Sequence, residues 1–129
     1  MLEDFRHAIN SEDVDVKKTS AARRDGEVLG GATVVLAASR LAEYRDPDTA
    51  GLRMLAVDPA AQGTGAGRAL VLATIELARR HGRRRVALHT QAIMKPARAL
   101  YESMGFVRRP EQDIHLPSGL QLLAYELEL

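Results

Sequence analysis

The sequence predicts an α/β or α+β domain built on one sheet of mixed strand direction. Three observations lead there. Short apolar runs rich in valine and leucine read as strands. Two stretches carry apolar residues at helical spacing. The pieces follow one another as β-β-β-α-β-α-β-β, an order that fits neither an all-helical nor an all-strand domain. With 129 residues, the chain suits a single domain over positions 1–129, and it shows neither repeat nor linker.

The elements follow in order. Positions 1–15 give no clear signal, and 14–22 alternates weakly as a strand weakened by Lys17 and Lys18. Asp25-Gly26 between two extended runs predicts a tight hairpin. Positions 28–38 read as a buried strand, with Gly30-Gly31 marking a bulge or a close backbone approach. A polar loop over 39–50 turns at Asp46-Pro47-Asp48. A strand over 52–57 then stops at Asp58-Pro59 and leads into a glycine-rich segment.

Ala66, Leu70, Ala73 and Leu77 share one helical face, predicting a helix over 66–81 with Gly82 as its stop. Arg79 and Arg80 suit the negative end of its dipole. Positions 85–90 alternate as a strand. A second helix runs over 95–104, with Pro96 in its first turn and Gly105 after its end. Short and longer strands over 106–108 and 120–129 complete the sheet.

Composition excludes several functions. Eighteen basic residues against 17 acidic ones leave a net charge of +1, so the whole chain is not a polycation for nucleic acid. The absence of cysteine excludes disulfides, thiolate metal sites and a thiol-linked acyl intermediate. The acidic pair Glu3-Asp4 stands where a signal peptide carries positive charge, and no run of 18 apolar residues occurs. The expectation is a soluble, cytoplasmic protein without a membrane partner. His7, His81, His89 and His115 lack metal-ligand spacing, so no metal is expected.

The glycine segment carries the strongest chemical signal. Gly63, Gly65 and Gly67 lie between a strand and a helix. Backbone N–H groups at a helix start are unpaired, the dipole favours anions there, and glycine removes the Cβ that would hold a phosphate away. The dinucleotide fingerprint G-x-G-x-x-G fails, because the sixth position from Gly63 is Arg68. The Gly-Lys-Ser/Thr of a P-loop is absent. The pattern Gln/Arg-x-x-Gly-x-Gly/Ala is matched by Gln62, Gly65 and Gly67.

Here the sequence resembles the GCN5-related N-acetyltransferase (GNAT) superfamily. Leu52-Arg53-Met54-Leu55-Ala56-Val57-Asp58-Pro59 looks like its central strand leading into the cradle. Ala97-Arg98-Ala99-Leu100-Tyr101-Glu102-Ser103-Met104-Gly105-Phe106 looks like its A-x-x-L-Y-x-x-x-G-F signature. The resemblance spans roughly positions 24–110. It implies a mostly antiparallel central sheet flanked by helices, with two central strands splayed apart.

It also implies acetyl-CoA as cosubstrate, with no metal, and an amine as acceptor. Pantetheine would lie against Leu55, Ala56 and Val57, with a backbone N–H near Leu55 polarising the thioester carbonyl. The N–H groups of Gly63, Thr64, Gly65, Ala66, Gly67 and Arg68 would hold the pyrophosphate, braced by the Gln62 side chain. Tyr101 would protonate the departing thiolate, since pKa values of about 8.5 for a thiol and 10 for tyrosine lie close together.

Two departures from the family pattern stand out. Met94 occupies a position where the family often has an asparagine that contacts CoA. Gly51 occupies a position where the family often has a glutamate base. An alkylamine of pKa about 10 is roughly one-thousandth neutral at pH 7, a penalty of about 4 kcal/mol. Glu43, Asp46 and Asp48 are candidate substitutes, although solvated loop acids are the plainer reading. Holding amine and thioester together contributes up to about 7–11 kcal/mol in ideal cases.

The family normally begins with a strand and two helices, and fewer than about 15 residues precede the first expected strand here. The amino-terminal part is expected to be shortened, or the chain a fragment. The acceptor pocket is then open or completed by a second subunit in a homodimer. Two rival readings follow: a non-catalytic acyl-CoA-binding or regulatory module, and a nucleic-acid binder. The second rests on the basic run 79–85, which lacks interleaved aromatics and reads more simply as a solvated helix end.

Overall fold

A computed structural model describes residues 6–14, 17–24, 26–36 and 47–129. Eight strands form one sheet: β1 (Arg6–Val14), β2 (Lys17–Arg24), β3 (Glu27–Val35), β4 (Thr49–Val57), β5 (Arg85–Gln91), β6 (Val107–Arg108), β7 (Ile114–His115) and β8 (Gln121–Glu128). Two helices, α1 (Ala66–Arg80) and α2 (Lys95–Ser103), flank it. The strand order is β1-β2-β3-β4-β5-β8-β6, with β7 paired to β8. Every pairing is antiparallel except β4 with β5. The mixed, mostly antiparallel sheet is therefore the one the sequence predicts.

The weak strand expected over 14–22 is resolved into two. Val14 closes β1 and Lys17 opens β2, and the two residues pair. β1 occupies a sheet edge and its sequence RHAINSEDV lacks apolar alternation, so pattern reading misses it. A hairpin closes where one is expected: Arg24 pairs with Glu27, and Gly26 takes φ +79°, while Asp25 itself lies outside the described residues.

α1 covers β2 to β5. Ala69, Leu70, Ala73 and Leu77 are buried on its inner face, and Gly82, in a left-handed conformation, ends it just past the cap residue His81. One face of the sheet supplies Val34, Leu52, Leu88 and Tyr125 to a core that Leu70 of α1 and Tyr101 of α2 close. Paired residues across a sheet share a face, so the row Leu52–Leu88–Tyr125 faces the helices and the next row, Gly51–Ala87–Glu126, faces away.

Tyr125 ties α2 to β8. Its hydroxyl donates to Glu102 Oε2 (2.7 Å) and accepts from Arg98 Nε (3.1 Å). Farther along β8, Asp113 accepts both Arg108 guanidinium nitrogens at 2.6 Å, Gln121 Nε2 at 2.9 Å and the Ala124 N–H at 2.8 Å. These contacts pin the connection after β6 onto the last strand.

Candidate active site

β4 and β5 run side by side only part of the way. Their paired residues extend from Thr49 with Arg85 to Leu52 with Leu88. β4 continues to Val57 and β5 to Gln91 without further pairing between them. β5 stays joined to β8 up to Gln91 with Leu122, and β4 to β3 up to Val57 with Gly30, so the sheet parts between these two halves.

The cause lies at Arg53. On β3, Thr33 pairs with Met54 and Val34 with Leu52, which leaves Arg53 as an extra residue in β4. Such a bulge bends its strand and strengthens its twist. It falls directly after the last β4–β5 pair. It also shifts the alternation by one, so that Leu55 and Val57 share the core face with Leu52.

The gap is lined by unused backbone groups. The Asp58 N–H donates to Leu29 O at 2.7 Å, and a Cβ on Gly30 would stand 2.5 Å from the Ala56 carbonyl oxygen. Both groups therefore point toward β3. By strand alternation, the N–H groups of Leu55 and Val57 point the other way, into the gap that β5 no longer fills. The expected close approach at Gly30 is thus real, while the bulge on β3 itself falls at Leu29, between the pairs Ala22–Gly30 and Arg23–Val28.

The glycine segment turns at the open end of this gap. Pro59–Ala61 forms one turn of 3-10 helix, capped by the Asp58 carboxylate on the Ala60 N–H at 2.9 Å. Gly63 and Gly65 take φ of +80° and +95°, conformations that a Cβ disfavours. Among the described residues, no partner meets the N–H groups of Gly63, Gly65, Ala66, Gly67 and Arg68. The Thr64 N–H is spent on Ala61 O (3.3 Å), and its hydroxyl donates to the same carbonyl. Gln62, expected to brace the loop, is exposed and makes no side-chain hydrogen bond among the described residues; Thr64 and Asp58 do the bracing. Arg68 is exposed in the first turn of α1.

Gly67 serves packing. A Cβ there would stand 3.7 Å from Val57 Cγ2 and 3.3 Å from Leu100 Cδ2. This contact joins the end of β4, the start of α1 and the flank of α2 at one point. Tyr101, one residue beyond Leu100, is 5% exposed and has no hydroxyl partner among the described residues. Its ring lies 5.7 Å from Phe106 and 6.3 Å from Tyr125. Burial pushes its hydroxyl up to about 12. Met94 is exposed at the amino-terminal cap of α2, just past the end of β5.

Glu43 and Asp46 lie outside the described residues. Asp48 stands at the start of β4, where its carbonyl accepts from the Arg84 and Arg85 N–H groups at 2.8 and 3.2 Å. Leu55 lies seven positions further along the chain, roughly 23 Å at about 3.3 Å per residue, so Asp48 does not reach the gap. Gly51 is buried between Val35 and Ala87 and offers no base. Sequence reading missed the bulge at Arg53 and the role of Tyr125 in holding α2, since both depend on pairings distant in the chain.

The sequence matches a known family over most of the chain. Residues 3–106 fit the acetyltransferase (GNAT) family model. The chain belongs to the GNAT family of acetyltransferases. The mycothiol acetyltransferase of Acidothermus cellulolyticus is 32% identical over 112 residues, covering 81% of this chain and 34% of that protein. An N-acetylaspartate synthetase of Danio rerio is 38% identical over 107 residues, covering 79% and 36%. The chain thus spans about a third of the length of these curated relatives. A Bacillus subtilis acetyltransferase solved with CoA shares the fold at a TM-score of 0.75 and 18% identity, over 97% of this chain and 99% of that one. Among the described residues, no helix of this GNAT chain is long and apolar enough to cross a membrane, and no cluster of side chains could hold a metal.

Proposed function

We propose that this GNAT domain transfers an acetyl group from acetyl-CoA to a primary amine by direct attack in a ternary complex. The observation that carries the reading is the splay after Leu52 and Leu88, which opens a backbone-lined slot directly in front of unpaired amides at the start of α1. The slot suits an extended, amide-bearing arm, and the amides suit the pyrophosphate at its end. Pantetheine pairs with β4 from Leu55 to Val57, and the N–H groups of Gly63, Gly65, Ala66, Gly67 and Arg68 receive the phosphates. Met94, exposed at the cap of α2, and the exposed Gln62 are the side chains proposed to contact the cofactor from outside. The family fit over 3–106 and the CoA complex of the B. subtilis relative support acetyl-CoA as the cosubstrate.

The Leu55 N–H directed into the slot stabilises the oxyanion that forms on the thioester carbonyl. The C–N bond forms, the C–S bond breaks, and the thiolate leaves near α2. Tyr101 donates its proton there. A hydroxyl raised to about 12 stays protonated at every working pH, so the donor form is always available. The gap to a free thiol of about 8.5 is wide, but the same apolar surroundings raise the thiol as well. The absence of cysteine removes a thiol-linked acyl-enzyme from the options and so supports direct attack by the amine.

Acetyl-CoA consumption is measured against aspartate, the amino acid in the name of one relative, and against small amines, peptide amino termini and lysine, alongside calorimetric titration of acetyl-CoA. Turnover with one class supports the proposal. Binding without turnover across the panel favours a CoA-binding module, the reading that the bare Gly51 motivates. No binding of acetyl-CoA overturns both.

A further inference from the structure

Direct attack requires a group that takes the proton from the amine, and neither Gly51 nor Asp48 supplies one. Helices α1 and α2 close the sheet face that carries Leu52 and Leu88. A second reactant therefore reaches the slot from the opposite face. On that face the residues next to the last β4–β5 pair form the row Gly51, Ala87 and Glu126. Gly51 contributes no side chain and Ala87 only a methyl group. At about 4.8 Å between neighbouring strands, the Glu126 backbone stands about 10 Å from Gly51, and its carboxylate sits between Arg85 and Arg109, so the span across Ala87 is left to water.

We propose that Glu126 is the general base of the transfer, drawing the proton from the attacking amine through water over Gly51 and Ala87. This rests on the acetyl-transfer reading above. The nitrogen lone pair forms the C–N bond, the proton released from nitrogen passes through water to the Glu126 carboxylate, and the neutral acid later returns it to solvent. The position explains how a chain with glycine in the central strand retains a base: the carboxylate has moved two strands across the same face.

The surroundings suit that role. The Glu126 side chain is 12% exposed, with Arg85 Nε at 3.7 Å and Arg109 Nε at 3.9 Å. The other charged group facing it among the described residues is Glu128 on the same strand. Burial raises the Glu126 carboxyl above its ordinary value, a hydrogen bond with Glu128 adds to this, and the two arginines oppose it. A carboxylate raised in this way is a better proton acceptor near neutral pH than a solvated one. The two guanidiniums keep the ionised form available.

The test uses the most active amine of the panel. Glu126→Gln is expected to lower kcat/KM at pH 7 by about 100-fold and to remove the acidic limb of its pH profile, with the acetyl-CoA Kd from calorimetry unchanged. Glu126→Asp keeps the limb and recovers part of the rate. Arg109→Gln removes a cation that favours the ionised carboxylate, so the acidic limb moves to higher pH. This variant also decides the matter if Glu126→Gln does not fold. An unaltered profile in Glu126→Gln, or a limb unmoved in Arg109→Gln, overturns the proposal. If no amine in the panel is acetylated, it is the acetyl-transfer reading that fails.

Discussion

Gly30 on β3 lies so close to Ala56 on β4 that a Cβ at Gly30 would stand 2.5 Å from the Ala56 carbonyl oxygen. The next atoms are Val57 Cα at 3.1 Å and Leu70 Cδ1 at 3.2 Å. Two of the three belong to the β4 backbone, so an added methyl cannot be absorbed by a rotamer change. It pushes β4 toward the slot. Gly30→Ala is expected to cost about 1–3 kcal/mol in urea unfolding and to weaken acetyl-CoA binding severalfold. Unchanged stability and affinity would show that β4 yields freely at this point.

The cradle glycines are expected to separate into two kinds. Gly65, at φ +95°, precedes α1, and alanine there is strained by about 1–3 kcal/mol. Its amide also points at the proposed phosphate. Gly67 has helical backbone, and its nearest obstacle is the Leu100 methyl at 3.3 Å, the flexible tip of a side chain. Calorimetry is expected to give at least a tenfold rise in the acetyl-CoA Kd for Gly65→Ala and less than about threefold for Gly67→Ala. Equal effects would argue against a phosphate cradle centred on Gly65.

These local features were legible because the information is contiguous in the chain. Asp25-Gly26, the 63–67 segment and Gly82 each specify a turn from their own residues, and the structure places a turn or helix boundary at each. What escaped reading depends on partners far away. The bulge at Arg53 exists only as a difference between two strands in pairing. β1 is polar, so its identity comes from pairing with β2 rather than from pattern. Glu126 meets Gly51 only through two successive strand pairings that cross Ala87. The turn and helix start at 63–67 are therefore legible in the sequence, whereas the proposed base depends on the sheet.

Asp113 is expected to control acid stability. Its side chain is 4% exposed and its carboxylate accepts four hydrogen bonds, two from Arg108. The Arg108 hydrogen bonds hold its carboxyl far below the ordinary 3.8, with burial opposing them and the Ala124 and Gln121 donors assisting. A depressed acid contributes stability that is present above the unfolded value and is lost as pH falls through the folded one. Stability is thus expected to decline progressively below about pH 4. Asp113→Asn costs on the order of 2–3 kcal/mol at pH 7, because the partly exposed Arg108 regains water, and it flattens the acid decline. Parallel wild-type and variant curves from pH 7 to pH 2 would contradict this.

Tyr101 carries the opposite pH signature. Burial raises its hydroxyl to about 12, above the unfolded 10.0, so the folded protein holds the proton more tightly. The resulting stabilisation is complete below about pH 10 and disappears as pH rises from there through about 12. The same shift means that ionisation of Tyr101 produces no basic limb in kcat below about pH 11. Tyr101→Phe preserves the ring contacts with Phe106 and Tyr125 and removes only the hydroxyl. It is expected to lower kcat by about 100-fold while leaving the acetyl-CoA Kd within about twofold. The loss is expected to shrink with an acyl donor whose thiol leaves readily as the anion, such as an acetylated thiophenol. An undiminished kcat with acetyl-CoA would remove Tyr101 from the chemistry and leave it as part of the core.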